Sequence, residues 1–278
     1  MKKLLPVLCF SLISGAAQAQ TVLENDPSKA YSKFIAPAVF VDMASDENLG
    51  ISLALGADAR YAFTPIFDLE GKLYFNVFGV SDRTAFHAEV GGFYPLGSKE
   101  KLKDLKVIVG NELYAGTDDY GRDVEEITYV GVSNGKFLNK YGVRAGLYSH
   151  TAGLEFENPE TFDEEFFTYN LTGIYAGLQF TSQAYVKIDQ PGFGKRVGAG
   201  FTRYYADVFV LPINSFDIAG LEKESGLGGR IGMQWYVSPH DGSYHYLGRS
   251  VFSAEVGTRP YTSFYLTLGW GYALGSKR

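Results

Sequence analysis

Residues 263–278 read SFYLTLGWGYALGSKR. Phe264, Leu266, Leu268, Trp270, Tyr272 and Leu274 take every second position, and Tyr265, Thr267, Gly269, Gly271 and Ala273 fill the places between. A period of two means a β-strand with two unlike faces. Here one face is large and apolar and the other mostly small. The apolar face can line a soluble core or it can meet lipid. The rest of the chain has to decide between them.

The same alternation recurs upstream. In 51–63, Ile51, Leu53, Leu55, Ala57, Ala59, Tyr61 and Phe63 oppose Ser52, Ala54, Gly56, Asp58, Arg60 and Ala62. In 69–77, Leu69, Gly71, Leu73, Phe75 and Val77 oppose Glu70, Lys72, Tyr74 and Asn76. Comparable segments place His87 and Glu89 opposite Phe86, Ala88 and Val90, Arg230 opposite Ile231 and Trp235, and Glu255 opposite Phe252 and Val256. Arg203 and Asp207 share a parity with Phe201 and Tyr205. The pattern predicts twelve strands, at 33–42, 50–63, 67–80, 83–94, 105–115, 126–134, 141–150, 168–188, 196–211, 227–237, 249–258 and 260–274. A break at Thr181-Ser182 would alter that count. No helical period of useful length appears.

The chain opens MKKLLPVLCFSLISGAAQAQ. Lys2 and Lys3, the apolar run Leu4–Ile13 and Ala17-Gln18-Ala19 together read as a secretory signal peptide over 1–19. Leu8 before Cys9 does not fit a lipid-anchor site. With 1–19 removed, no cysteine is left, so neither a disulfide nor a thiol nucleophile is expected in the exported chain. Lys+Arg falls from 25 to 23 against 31 Asp+Glu, giving a net charge of −8. That acidic balance argues against nucleic acid as a partner. No apolar run after residue 20 is long enough for a membrane helix. The expected layout is a signal peptide at 1–19, an N-terminal periplasmic segment at 20–32, a barrel at 33–274 and a tail at 275–278.

Three features favour lipid over a soluble core. The polar parity is rich in Gly, Ala, Ser and Tyr with isolated charges of both signs, whereas a wetted surface would carry more Lys and Glu. Segments of 10–14 residues suit a tilted crossing of the hydrocarbon layer, which takes roughly 9–11. The third feature is the closing strand. Thr267, Gly269, Tyr272 and Leu274 stand where the C-terminal signal of outer-membrane β-barrels has a polar residue, a glycine, an aromatic and a hydrophobic residue, and the run resembles that signal. The tail Gly275–Arg278 departs from it, since many such proteins end on the aromatic. The resemblance implies an outer-membrane location and partners in the outer-membrane assembly machinery, in lipid and in lipopolysaccharide.

Connectors alternate in character. The stretches at 44–48, 116–126, 153–165 and 214–226 are acidic, and those at 64–66, 95–104, 134–140 and 190–196 are short or basic. This predicts long loops on one side of a barrel and tight turns on the other. Acidic loop residues such as Asp118, Asp119, Asp123, Glu157 and Glu164 could bind divalent cations, but they lack EF-hand spacing and read as solvated loops.

Few residues look catalytic. Ser133-Asn134-Gly135 resembles part of the outer-membrane phospholipase A motif, but the position of that family's histidine, two before the serine, holds Gly131. Asn134-Gly135 reads equally as a hairpin turn. His87 is on the lumen parity, His150 follows Ser149 on the opposite face of a strand, and His240 and His245 occupy a turn-rich connector with Asp241. No cofactor fingerprint or metal-ligand spacing is found.

The expected fold is therefore all-β: a single antiparallel up-and-down transmembrane β-barrel of about twelve strands, within a range of ten to fourteen. Asp58, Arg60, Glu70, Lys72, Arg83, Glu89, Arg144, Arg203, Asp207, Arg230 and Glu255 are expected to form a lumen charge network. The expected role is a non-enzymatic narrow pore, transport or scaffold function in the cell envelope. The alternatives are a barrel hydrolase of phospholipase or protease type, and a soluble periplasmic barrel that binds an apolar ligand.

Overall fold

Two of the predicted turns are continuous strand. A computed structural model describes residues 20–274 except 31, 46–48, 65, 80–84, 118–122, 158–163, 217–225, 237–249 and 261. The strands are β1 (Thr21–Asn25), β2 (Lys33–Ser45), β3 (Leu49–Thr64), β4 (Phe67–Gly79), β5 (Phe86–Thr117), β6 (Asp123–Glu157), β7 (Glu164–Gln190), β8 (Gly194–Phe216), β9 (Leu227–Tyr236), β10 (Ser250–Arg259) and β11 (Thr262–Tyr272). The segments expected at 83–94 and 105–115 are both parts of β5, and those at 126–134 and 141–150 are both parts of β6. Among the described residues the sheet order is β1-β7-β6-β5-β4-β3-β2-β11-β10-β9-β8, and β8 also pairs with β7. Ten strands, β2 to β11, thus close an antiparallel up-and-down barrel, and β1 lies outside the ring. Ten strands lie at the lower edge of the expected range of ten to fourteen, two fewer than the central count of twelve.

The physical reason lies in register. The connectors at 95–104 and 134–140 carry turn-forming residues, yet they pair with each other, from Pro95↔Gly142 to Lys103↔Gly135. Asn134 does take a left-handed φ of 59°, but inside β6. There the pairing slips from Lys103↔Gly135 to Leu105↔Val132, so the Asn-Gly pair forms a bulge and not a hairpin turn. The β5–β6 hairpin therefore runs far past the barrel rim. Its last described pair, Thr117↔Asp123, lies on the opposite end of the barrel from the loops that the alternation of connectors had grouped this acidic stretch with; residues 118–122 lie outside the described residues. Strand β7 also runs unbroken through Thr181-Ser182.

The two faces separate as the alternation requires. Leu53, Leu55, Leu73, Phe75, Val90, Leu147, Leu178, Val208, Ile231 and Leu268 are exposed on the outside. Asp58, Glu70, Glu89, Arg144, Arg203, Asp207, Arg230 and Glu255 are buried within. This is the inverse of a soluble β-barrel and removes the premise of the soluble alternative. Aromatic residues line up around the outer wall. Trp235, Phe252 and Trp270 lie directly opposite one another across β9, β10 and β11. Tyr141, Phe180 and Tyr204 do the same across β6, β7 and β8.

Both ends of the ring, the start of β2 and the end of β11, lie at one rim, called here the terminal end. Residues 26–30 lie across its mouth. They lead from β1 beside β7 toward β2, five places away in the ring of ten. A 3-10 turn at Pro27–Lys29 is capped by Asp26, whose carboxylate accepts from the Ser28 amide at 3.0 Å and the Ser28 hydroxyl at 2.7 Å. Pro27 is buried, and Ala30 is fully buried against Phe34, Tyr185, Phe201, Tyr236, Val251 and Ala273. The strap and this aromatic cluster fill the terminal end of the lumen.

β1 occupies a place that β6 vacates. β6 pairs with β7 as far as Phe137↔Ala184, and β1 takes over from Asn25↔Val186 to Thr21↔Asp189. Asn25 clasps the fork: its side-chain amide donates to the Asn134 carbonyl (3.1 Å), and its side-chain oxygen accepts from the Lys136 amide (2.9 Å). The departing hairpin packs Val107, Val109 and Val132 onto Val186 and Ile188 of β7.

Candidate functional site

Alternation sends charged side chains from nearly every strand into the lumen, where solvation is lost. Such groups persist only if paired. Within the lumen lie seven basic side chains, Arg60, Lys72, Lys140, Arg144, Arg203, Arg230 and Arg259, and seven carboxylates, Asp42, Asp58, Asp68, Glu70, Glu89, Asp207 and Glu255. The formal balance among these described residues is zero, although the chain as a whole is acidic.

Arg230 of β9 is the centre of the network. Its guanidinium donates to both carboxylate oxygens of Glu89 on β5, one of them at 2.7 Å, and its Nε donates to Asp207 at 2.6 Å. A fourth contact reaches Glu255 at 3.2 Å. Glu255 in turn accepts from the hydroxyls of Tyr205 (2.7 Å) and Tyr265 (2.9 Å), and lies 3.6 Å from Lys72. Glu70 of β4 pairs with Arg203 of β8 at 2.5 Å, lies 3.8 Å from Arg144, and accepts from Gln179 at 2.9 Å. Arg144 also lies 3.5 Å from Asp207. Its guanidinium stacks over the rings of Tyr175 (4.9 Å) and Tyr205 (4.2 Å).

These contacts join walls that sequence spacing does not relate. β5 and β9 are four places apart in the ring, as are β4 and β8. Asp58 and Lys72 are Cα partners across β3 and β4, yet Lys72 reaches Glu255 on β10. Arg60 faces Glu70 by register, but its guanidinium pairs with Asp68 at 2.5 Å and stacks 4.2 Å above Phe201. Arg60 therefore belongs to the strap end of the lumen and not to the Arg230 cluster. Asp58 is buried beside the cluster, lining a void of about 20 Å³ with Glu70, Lys72, Arg203 and Gln234. That space suits roughly one water molecule. Arg83 lies outside the described residues.

Toward the other rim the filling becomes aromatic. Tyr74 stacks on His87 at 4.5 Å, and His87 lies 5.7 Å from His150, ring to ring. His87 Nε2 is 2.6 Å from Glu89 Oε1. Tyr148, Tyr169, Leu171, Phe209 and Leu211 pack around them. Thr267 donates to Asp42 at 2.7 Å, and Arg259 lies 3.5 Å from the same carboxylate. The expected assembly-signal residues thus divide: Thr267 points inward to Asp42, while Tyr272 and Leu274 are exposed outside. Gly269 faces inward against Phe40.

Candidate nucleophiles and bases do not meet. Ser133 is exposed on the hairpin bulge, whereas His87 and His150 are buried inside the barrel. His150 lies within β6 and does not end a strand. His240, Asp241 and His245 lie outside the described residues. Among the described residues no three His, Cys, Asp or Glu side chains converge as a metal site. The histidine–glutamate contact is packed by the rings of Tyr74, Tyr148 and His150.

Several members of the network were not singled out from the sequence: Asp42, Asp68, Gln179, Gln234 and Arg259. Parity carried a signal for some. Asp42 shares a face with Phe34, Ala36 and Phe40, and Gln179 shares one with Tyr175 and Gln183.

No family model matches the chain, and no curated protein matches it either. Among solved structures it is similar to a doubly substituted mutant of the Rh. blastica porin, at 11% identity and a TM-score of 0.21, over 87% of this chain and 99% of that one. A triply substituted mutant of the same porin aligns at 11% identity and a TM-score of 0.20, over 87% and 99%. A loop-deletion mutant of OmpT, an outer membrane protein of Vibrio cholerae, aligns at 12% identity and a TM-score of 0.15, over 92% and 100%. The class assigned here, a closed ten-stranded antiparallel barrel with a charged interior, rests on strand pairing and burial within the chain itself.

Proposed function

We propose that the chain spans the outer membrane as a self-plugged barrel and serves the envelope as a scaffold or anchor, not as an open pore or an enzyme. The observation that carries this reading is the inversion of its faces: leucine, phenylalanine and tryptophan are exposed outside, while seven acids and seven bases are gathered within. An apolar surface of that extent marks contact with lipid. The lengths of β9, β10 and β11, at 10, 10 and 11 residues, match one tilted crossing of roughly 9–11. The packing of the charge cluster favours a scaffold over a pore, because among the described residues the void beside Asp58 and Arg203 takes about one water. An even number of strands returns both barrel termini to one side, and the strap end is taken as the periplasmic one.

The test is cell fractionation with gel migration of boiled and unboiled samples. Recovery with outer membranes, in a heat-modifiable form, is expected; recovery in the soluble periplasm would refute the reading. In planar bilayers the intact chain should pass no steady current.

A further inference from the structure

Near the terminal rim the outer wall is recessed over β2 to β5. A cavity of about 690 Å³ lies there, lined on its open side by Lys33, Ile35, Ala59, Tyr61, Leu69, Gly71, Val90 and Leu274. One register row explains its form. Ile35, Ala59, Gly71 and Val90 face one another across four strands, so two small residues make a floor between two branched walls. Nothing in the backbone demands glycine at 71: its φ is not left-handed, and an added Cβ would meet only the Glu89 carbonyl oxygen, at an ordinary 3.5 Å. The wall could be filled at this point and is left open.

A cation stands at the rim of the recess. Lys33 lies 5.9 Å over the Tyr61 ring, and these two residues are Cα partners. Both are exposed on the outside, and no carboxylate pairs with Lys33 among the described residues. An apolar slot with an unneutralised ammonium and a tyrosine at its polar edge matches an acyl chain carrying an anionic head group.

We propose that this recess is a binding site for one anionic phospholipid, its acyl chain lying over Ala59 and Gly71 and its phosphate meeting Lys33. The inference rests on the membrane-barrel reading above, and its test separates the two. The full chain is purified into nanodiscs of equal phosphatidylglycerol and phosphatidylethanolamine, and lipid retained after detergent exchange is read by native mass spectrometry. The wild type should keep one phosphatidylglycerol per chain. Gly71→Leu or Ala59→Leu should cut that retention at least five-fold, and Ala206→Leu, exposed on β8 away from the recess, should not. Lys33→Glu should abolish the preference for phosphatidylglycerol. Equal retention by Gly71→Leu and the wild type, or equal loss in Ala206→Leu, would overturn the site. An unchanged preference in Lys33→Glu would overturn its anionic half. Heat-modifiable migration of each variant reports the barrel independently, so a missing barrel cannot be mistaken for a missing site.

Discussion

Arg230 on β9 and Glu89 on β5 meet in a two-pronged ion pair across the lumen, although 141 residues separate them along the chain. Each is almost wholly removed from solvent. Arg230 also serves Asp207 and Glu255, so a single guanidinium neutralises carboxylates from three strands.

Replacing Arg230 with methionine leaves those carboxylates buried without their counter-charge. Breaking a buried pair from one side costs about 3–5 kcal/mol. The folded, fast-migrating band should be lost at a clearly lower temperature or urea concentration than in the wild type. The combined Arg230→Met, Glu89→Leu variant should recover part of that loss, because one of the stranded charges goes with its partner.

Outer and inner positions should respond oppositely to charge. Leu178 is 66% exposed at the middle of β7 and faces outward. Arginine there should cost about 2–4 kcal/mol if the wall lies in hydrocarbon. In a soluble barrel the same exposed position would accept it with little change. Denaturation of the variant in micelles or vesicles distinguishes these outcomes.

On the self-plugged reading the strap and the charge ties each close the lumen, which sets an expectation for conductance. Deleting 20–32 removes the strap but leaves the Arg230, Arg203 and Arg144 ties intact. That variant should remain silent in planar bilayers. Adding Glu70→Ala, Arg203→Ala and Arg144→Ala to the deletion should yield steady currents. Current from the deletion alone would place the seal in the strap.

Gly91 and Gly146 face each other across β5 and β6, and Tyr175 lies over them from β7. A Cβ on Gly146 would press on the Val90 carbonyl oxygen and come within 2.6 Å of the Gly91 Cα and 2.7 Å of the Tyr175 ring. Valine there must push the β5 backbone at Val90 and Gly91 away as well as displace the tyrosine that stacks on Arg144, an overpacking cost of at least about 1–3 kcal/mol. Urea unfolding of Gly146→Val should show a reduced midpoint, and Gly71→Ala, whose Cβ has room, should not.

The faces were legible because side-chain direction in a strand is a local property. Asp58, Glu70, Glu89, Arg203, Arg230 and Glu255 sit inside for the same reason that Leu268 and Trp270 sit outside: each strand turns successive residues to opposite sides. Strand number was less legible. The Asn134-Gly135 pair and the Lys-rich stretch around Lys101 have the composition of turns, yet pairing between two long strands absorbs both, one as a bulge. Gln179 and Arg259 were missed because a lumen position becomes a network member only when an opposite wall supplies a partner.

What the sequence determined alone is thus the all-β character of the chain, its period and the sorting of oily and charged residues onto two faces. Those follow from backbone geometry over a few residues. The tertiary structure decided which charges pair, that β1 replaces β6 at the fork beside Asn25, and that the strap closes one mouth. Each of these depends on how far apart strands stand once the ring closes at ten, and a distance across a lumen has no counterpart in spacing along a chain.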